Sequence, residues 1–590
     1  MNKKVGIICG IMLLCALLSG CEQDGEGRAA TPGEAQTQRT SVRKAPLQDV
    51  NNLPLKDDHT LYEAYDPLDV VCFYVTVRKG NRADGTDHTF QEVNAYKNLQ
   101  GMTGVEKIKA EAIFQVGDET GPLPGEVGYG ALSPNATINV RGRTSTGYPQ
   151  KSYRISLMDT AGLWRGQRAI AINKHPGDPT RLRNMVYFRL LQDVPGLTSL
   201  RTQYVHLYVK DETDPDAPDA FVDYGLYTQV ELPNGRFLRN HGLSQDGDLY
   251  KANMCELYRY PDQLKLATDP TYDLAAFSEV LEPKTGNDHR KLIEMLEAVN
   301  DYERPIEEVI AKYFDLDNLT SYMAFNMLMA NPDSNAQNYL LYSPVNSDTW
   351  YYICWDGDGA LAYYEDELLE NAWSEAEWTR GVSDYWGVVL FNRMLRVESF
   401  RNALYEKVEW LHGLITPERI NELIAACRTV TDSYTTRMPD AIHMRIPNDK
   451  LELIYNNMAA DTDLAYAYIM ESFKKPMPFY LGVPIAQGGR LTLSWDAAYD
   501  FDGEFVRYDV QVATDWTFAP ETIVAESLGQ LVCTASFAMP EQGDYFWRVV
   551  ATDESGHSQI SFDQISTATG AHGGMGRFTV GPEGSVTKAE

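Results

Sequence analysis

The hydrophobic period of this 590-residue chain changes twice, and those changes constrain the fold more than any single motif does. From Asp69 to about Leu157, β-branched and aromatic residues alternate with polar ones, as in Val71-Cys72-Phe73-Tyr74-Val75-Thr76-Val77 and Ala136-Thr137-Ile138-Asn139-Val140. A period of two predicts strands. Asp178 to Leu191 predicts a helix, with Arg181, Arg183 and Arg189 on a polar side and Leu182, Met185, Val186, Phe188, Leu190 and Leu191 on an apolar one. Strand signals return at Tyr204–Val209 and Gly225–Val230. After Asn287 the period turns helical: Leu292, Met295, Leu296 and Val299 form one stripe, Leu316 to Met329 a second. Val388–Leu411, Pro417–Arg428 and Leu451–Phe473 continue it, with Pro417 where a first helical turn accepts proline. Beyond Lys474-Lys475-Pro476-Met477-Pro478 the pattern is all-β. The expectation is an α+β unit over 59–475, strand-rich from about 69 to 260 and helix-rich from about 285 to 473, followed by a β domain over 479–580. This length exceeds what one core organises.

The first residues predict export. Lys3 and Lys4 precede the apolar run Val5–Leu18, which is too short to span a bilayer comfortably. It ends in Leu18-Ser19-Gly20-Cys21, which resembles the lipobox of bacterial lipoproteins; an ordinary secretory signal with a chance cysteine is the alternative. The lipobox reading predicts a signal peptide over 1–20, lipidation of Cys21, a membrane anchor through that lipid and no transmembrane helix in the mature chain. Residues 21–58 are polar and suited to a flexible tether. The acidic start Glu22-Gln23-Asp24-Gly25-Glu26 resembles sorting signals of some envelope lipoproteins. The expected location is the bacterial cell envelope, at the outer membrane and its surface.

A net charge of -31 repels phosphate backbones, and nucleic acid is excluded as a partner; a nucleotide is not, because one or two well-placed cations suffice for it. Cys72, Cys255, Cys354, Cys427 and Cys533 follow Cys21 without any CxxC pair, which points to buried small hydrophobes and to no zinc or redox motif.

The run Asn331-Pro332-Asp333-Ser334-Asn335-Ala336-Gln337-Asn338 precedes the apolar Tyr339-Leu340-Leu341-Tyr342 and then Trp350-Tyr351-Tyr352-Ile353-Cys354-Trp355-Asp356-Gly357-Asp358. An aspartate, an asparagine five positions on and an aspartate past the next strand is the layout by which protein kinases orient a hydroxyl and hold magnesium. Hard oxygen donors suit Mg²⁺, and a carboxylate can orient a nucleophilic hydroxyl. The alternative is that Asp333 and Asn338 cap turns while Asp356 and Asp358 occupy a hairpin.

Upstream, Val140-Arg141-Gly142-Arg143-Thr144-Ser145 and Pro149-Gln150-Lys151-Ser152-Tyr153-Arg154-Ile155 form a basic strand-turn-strand, with Lys151 placed to meet phosphate oxygens. Gly225-Leu226-Tyr227-Thr228-Gln229-Val230-Glu231 ends a strand on a carboxylate, and Leu249-Tyr250-Lys251 follows. With Arg181-Leu182-Arg183-Asn184, this ordered set resembles the spore-coat protein H (CotH) kinase family over roughly Val71 to Phe473. The resemblance implies an atypical, two-lobed protein-kinase-like fold that binds ATP and Mg²⁺ and phosphorylates hydroxyls of a protein substrate. Carried over by position, Asp333 is the catalytic aspartate, Asn338 and Asp356, with Asp358 beside it, are the metal ligands, and Lys151 and Arg141 meet the cofactor. Glu231 is implied as the partner of Lys151. Trp350 is implied as an aromatic on the nucleotide, with core packing as its alternative. No G-x-G-x-x-G precedes Lys151, so Thr144, Ser145 and Gly147 are the expected backbone donors. Pro332 precedes Asp333 and the loop has no histidine, so this is no standard kinase loop.

The strands around Trp495 and Tyr508, and the run Tyr545-Phe546-Trp547-Arg548-Val549, resemble a fibronectin type III sandwich, a spacer or binding surface without chemistry of its own. A non-catalytic surface-binding or adhesion lipoprotein on a kinase-like scaffold is therefore the competing class of function. An accessory role in glycan handling ranks last. His175 and His241 stand isolated and no H-E-x-x-H or G-x-S-x-G occurs, so neither a catalytic histidine nor a serine hydrolase is expected. The acidic run from Tyr363 to Glu370 reads as a solvated face.

Overall fold

The computed structural model describes residues 55–98, 107–361, 363, 376–444, 446–567 and 570–589. The signal sequence, Cys21, nearly all of the expected tether and the acidic run after Tyr363 lie outside these residues. No helix among the described residues is long and apolar enough to cross a membrane.

The strand-rich half closes on itself. Hydrogen-bonded neighbours run Val71–Arg78, Thr202–Asp211, Val222–Val230, Ala169–Asn173, Ser152–Leu157, Ala136–Arg141 and Lys109–Asp118, and the last pairs back to the first. Only Val71–Arg78 with Thr202–Asp211 is parallel; the other ladders of this ring are antiparallel. The period of two sends Phe73, Val75, Val77, Ala112, Phe114, Ile138, Ile155, Ile172, Val205 and Leu207 into one interior cluster. The opposite face of two of these strands, at Tyr204, Leu226 and Val230, joins the larger core of the helical half.

That half holds a second, four-stranded antiparallel sheet in the order Leu281–Thr285, Asp248–Ala252, Tyr339–Ser343, Tyr351–Cys354. The helix Leu316–Leu328 is buried over most of its surface, from Asn318 to Leu328, and the helices Glu398–Leu414 and Asn448–Ser472 pack on it. The helix expected from Asp178 begins instead at Arg183. Asp178 is the reason: its carboxylate accepts from the Thr180 amide at 3.0 Å and from Arg183 Nη1 at 2.6 Å, and Arg181 takes a left-handed φ of 58°. Arg181 and Arg183 are therefore buried partners and do not form a polar face, a correction to the amphipathic reading.

From Met477 onward the chain forms two facing sheets and a separate two-stranded ribbon of Gln564–Thr567 and Gly570–Gly573. Ile485–Gln487, Arg490–Ser494 and Thr534–Ala538 face Ile523–Gln530, Arg507–Ala513, Gly543–Thr552, Met575–Val580 and Val586–Ala589 across a core of Leu493, Trp495, Tyr508, Val510, Trp547, Val549 and Phe578. This β unit docks on the helical half: Trp386 stacks on Tyr499 with ring centres 5.5 Å apart, and Trp378 meets Phe562 edge-on at 5.2 Å.

Candidate functional site

The hairpin of Tyr339–Ser343 and Tyr351–Cys354 places the motif. Its register pairs Tyr339 with Cys354, so Asn338 and Asp356 leave the two strands at the same end, where the Trp355 amide donates to the Asn338 carbonyl at 3.1 Å. Both have positive φ, 55° for Asn338 and 57° for Asp356, a region that Asn and Asp tolerate best among side-chain-bearing residues. Asp333 lies in the short turn Pro332–Ser334 before the hairpin, and Gln337 Nε2 donates to its Oδ1 at 3.2 Å.

Tyr187 separates and fixes the two aspartate loops. Its hydroxyl donates to Asn326 Oδ1 at 2.8 Å, and Asn331 Nδ2 donates to the same oxygen at 3.3 Å. Gly357 lies on the other side of the ring: a Cβ there would fall 2.1 Å from Tyr187 Cδ1, so the Asp-Gly-Asp turn requires glycine for close approach. The Leu361 amide then donates to the Met329 carbonyl at 2.8 Å, tying the end of this turn to the segment before Asp333.

Asp356 and Asp358 interact directly. Burial, and then the neighbouring Asp358 charge, push the Asp356 carboxyl up, while Lys251 and Arg141 pull against them. Asp358 stays below its ordinary value: surrounding protein opposes its charge, but His175 Nδ1 at 3.3 Å and the Arg141 charge outweigh that, and its side chain is 49% exposed. Asn184 Nδ2 sits 3.4 Å from His175 Nε2, an arrangement in which Nε2 accepts and Nδ1 donates to Asp358.

Arg141 ends the strand Ala136–Arg141, is braced by Asn173 Oδ1 and faces both aspartates; burial lowers its pKa. Lys251 faces Asp356 from the strand Asp248–Ala252, with Nζ 5.6 Å from the Trp355 ring centre, and burial lowers its pKa as well. Neither Lys251 nor His175 was singled out from sequence as a site residue. Lys251 was legible as part of an ordered motif, whereas His175 carries no signal until the end of the strand Ala169–Asn173 is placed beside Asp358.

Three expectations are corrected. Glu231 does not meet Lys151: Arg201 Nε donates to it at 2.9 Å and His241 Nε2 lies 3.0 Å away, a closed buried cluster that holds Glu231 down at about 2 against the pull of burial. Lys151 Nζ instead donates to the Thr146 carbonyl at 2.6 Å and steadies the turn Thr144–Gly147. Trp350 is fully buried, packed with Tyr250 and its indole N–H without an acceptor among the described residues, so it has no face for a nucleotide. His241 likewise is no isolated polar residue but a buried cation between Asp57 and Glu231.

The fold and this cluster of side chains together define a mixed α+β protein in which a carboxylate pair confronts cations from two separate sheets. The chain belongs to the CotH kinase family: the family model described as CotH kinase protein matches residues 138–458. That span runs from within the strand of Arg141 to the last long helix and includes Asp333, Asn338, Asp356 and Lys251. A search among curated proteins finds no match.

Proposed function

We propose that this chain is an envelope-anchored, ATP-dependent protein kinase that transfers phosphate to serine or threonine hydroxyls of a protein substrate. The observation that carries the reading is the acidic pair Asp356 and Asp358, set beside Asn338 and facing Arg141 and Lys251. The donor types suit a hard divalent ion: two carboxylates meet where one is disfavoured as an anion, and Asn338 leaves the neighbouring strand at the same end. Asp356, Asn338 and Asp358 would hold Mg²⁺, which when bound neutralises charge developing on the phosphates. Among the described residues no group of three or more His, Cys, Asp or Glu side chains is placed to hold a metal ion, so on this reading phosphate oxygens and water would have to complete the shell. Arg141 and Lys251 bind and orient the phosphates; Asp333 orients the acceptor hydroxyl and receives its proton. In this reading the barrel and the helical half act as two lobes, the C-terminal β unit is a fibronectin III-like sandwich, and lipidated Cys21 anchors the whole at the outer membrane. MgATP should raise the thermal midpoint of the purified protein, and Asp356→Asn and Asp333→Asn should abolish transfer while only the former removes the shift. A midpoint indifferent to saturating MgATP sinks the proposal.

A second reading, a surface-binding lipoprotein, draws on the edge strand Ile523–Gln530, whose Val524 and Leu528 are exposed beside exposed Leu531 and Val532. It gains if Asp356→Asn is harmless in the cell while Leu528→Ser with Val532→Ser is not.

A further inference from the structure

The short helix Val382–Tyr385 and the next residue, Trp386, are held from two directions. From the C-terminal sandwich, Gln559 Nε2 donates to Ser383 Oγ at 3.3 Å and Tyr499 stacks on Trp386; Arg396, at the end of the helix Val389–Leu395 in the helical half, lies over both rings at 4.8 and 4.4 Å. From the loop of Asp333, Asn335 Nδ2 donates to the Asp384 carboxylate at 2.9 Å and to its carbonyl at 3.1 Å, and the Ser334 and Tyr385 hydroxyls are 3.0 Å apart. Ser383, Tyr385, Ser334 and Gln559 are all buried. Asn335 Oδ1 accepts from the Ala336 amide at 2.6 Å, so the side chain gripped by Asp384 also shapes the backbone beyond Asp333.

One helical turn has almost no stability of its own, so its placement is set by what touches it. The helical half adds anchors of its own: the Ser472 hydroxyl accepts from the Val382 amide at 3.0 Å, Asn392 Nδ2 donates to the Trp386 carbonyl at 3.0 Å, and Phe391 packs edge-on against Tyr385. Adjacent residues facing opposite ways in a packed interior cannot shift on one side without moving the other.

We propose that the C-terminal sandwich positions the loop of Asp333 through this turn, with Gln559 and Tyr499 as positioning residues, so that the sandwich completes the framework of the site. The consequence for transfer rests on the kinase reading; the mechanical coupling does not. The test is amide hydrogen exchange on the full chain with Gln559→Leu and, separately, Tyr499→Leu. Exchange at Ser334 and Ala336 should quicken roughly tenfold, as expected for the loss of a buried tie, while barrel amides such as Phe73 and Ile138 keep their rates. Leu528→Ser, on the far edge of the sandwich, should change neither. Where transfer is measured, kcat should fall with KM for nucleotide unchanged, because Arg141, Lys251 and Asp356 lie outside the bracket. Unchanged exchange at Ser334 and Ala336 in both variants overturns the proposal, and so does an unfolded sandwich in Tyr499→Leu that leaves those two amides protected. A wild-type chain without transfer defeats the kinase reading only, since the exchange result still decides the coupling.

Discussion

Raising the pH should loosen the cluster around His241. His241 is fully buried, with Asp57 Oδ1 at 2.6 Å on Nδ1 and Glu231 Oε2 at 3.0 Å on Nε2. Burial alone would lower its pKa, but these two carboxylates raise it from 6.5 to about 9. A folded-state pKa above the unfolded one means that the stabilisation is complete below 6.5, declines as pH rises, and is gone above about 9. At about 1.4 kcal/mol per pH unit the difference comes to on the order of 3 kcal/mol. Glu231, held near 2 by the same contacts, loses its share only as pH falls from 4.5 through about 2, so the plateau lies between 4.5 and 6.5; the two effects describe one interaction and are not summed. Denaturant unfolding at a series of pH values, read on the barrel transition, should show this slope, and His241→Gln should flatten it while lowering the plateau. Stability that stays level from about pH 6.5 to 9, or a His241→Gln variant that keeps the slope, refutes a protonated His241 as the centre of the cluster.

Three further outcomes are expected. Lys251→Met should weaken MgATP roughly tenfold to a hundredfold by calorimetry, the cost of one charge-assisted contact, whereas Lys151→Met should change affinity little and raise exchange in Thr144–Gly147; the reverse order contradicts the assignment of the cations. Gly357→Ala should cost on the order of 1–3 kcal/mol by forcing Tyr187 aside, and should abolish nucleotide-dependent stabilisation with it, which differential scanning with and without MgATP can separate. Trp350→Phe should destabilise by about 1–3 kcal/mol while leaving nucleotide affinity unchanged, and a lost affinity would return the indole to the binding site.

Much of this was legible because period and burial coincide. Alternation in Val71–Val77 and Ala136–Val140 marked strands that are buried on the barrel's inner face, and the stripe Leu292, Met295, Leu296, Val299 marked a buried helix face. Closure of the barrel was not legible, because the pairing of Val71–Arg78 with both Lys109–Asp118 and Thr202–Asp211 joins segments far apart in sequence. Asp333, Asn338 and Asp356 could be set in order from spacing, since a hairpin of known length fixes which residues leave its open end together. Partner choice could not. Glu231 ends its strand as expected, yet Arg201 and His241 reach it first, and Lys151 meets a carbonyl, because ion pairing depends on which side chains converge and not on their order. The start of the helix at Arg183 was misread for a related reason: Asp178 satisfies the turn before it, and arginines that look solvent-facing by period are drawn inward by a buried carboxylate.

The misassigned pair also sharpens what kind of site Asp356 and Asp358 form. Had Arg141 or Lys251 closed on Asp356 as Arg201 closes on Glu231, the charges would be satisfied without a ligand, and the cluster would be structural. Among the described residues neither Arg141 nor Lys251 forms an ion pair, although both influence Asp356, and Asp356 and Asp358 are left to share one region with like charge. Holding opposite charges near but apart is costly for folding, since desolvation is incurred without the full Coulombic return. Proteins keep such an arrangement where function requires it. On the proposed kinase reading, the complement of this one is a ligand carrying both signs, anionic oxygens for Arg141 and Lys251 and a divalent cation for the carboxylates, as a metal-bound polyphosphate would supply.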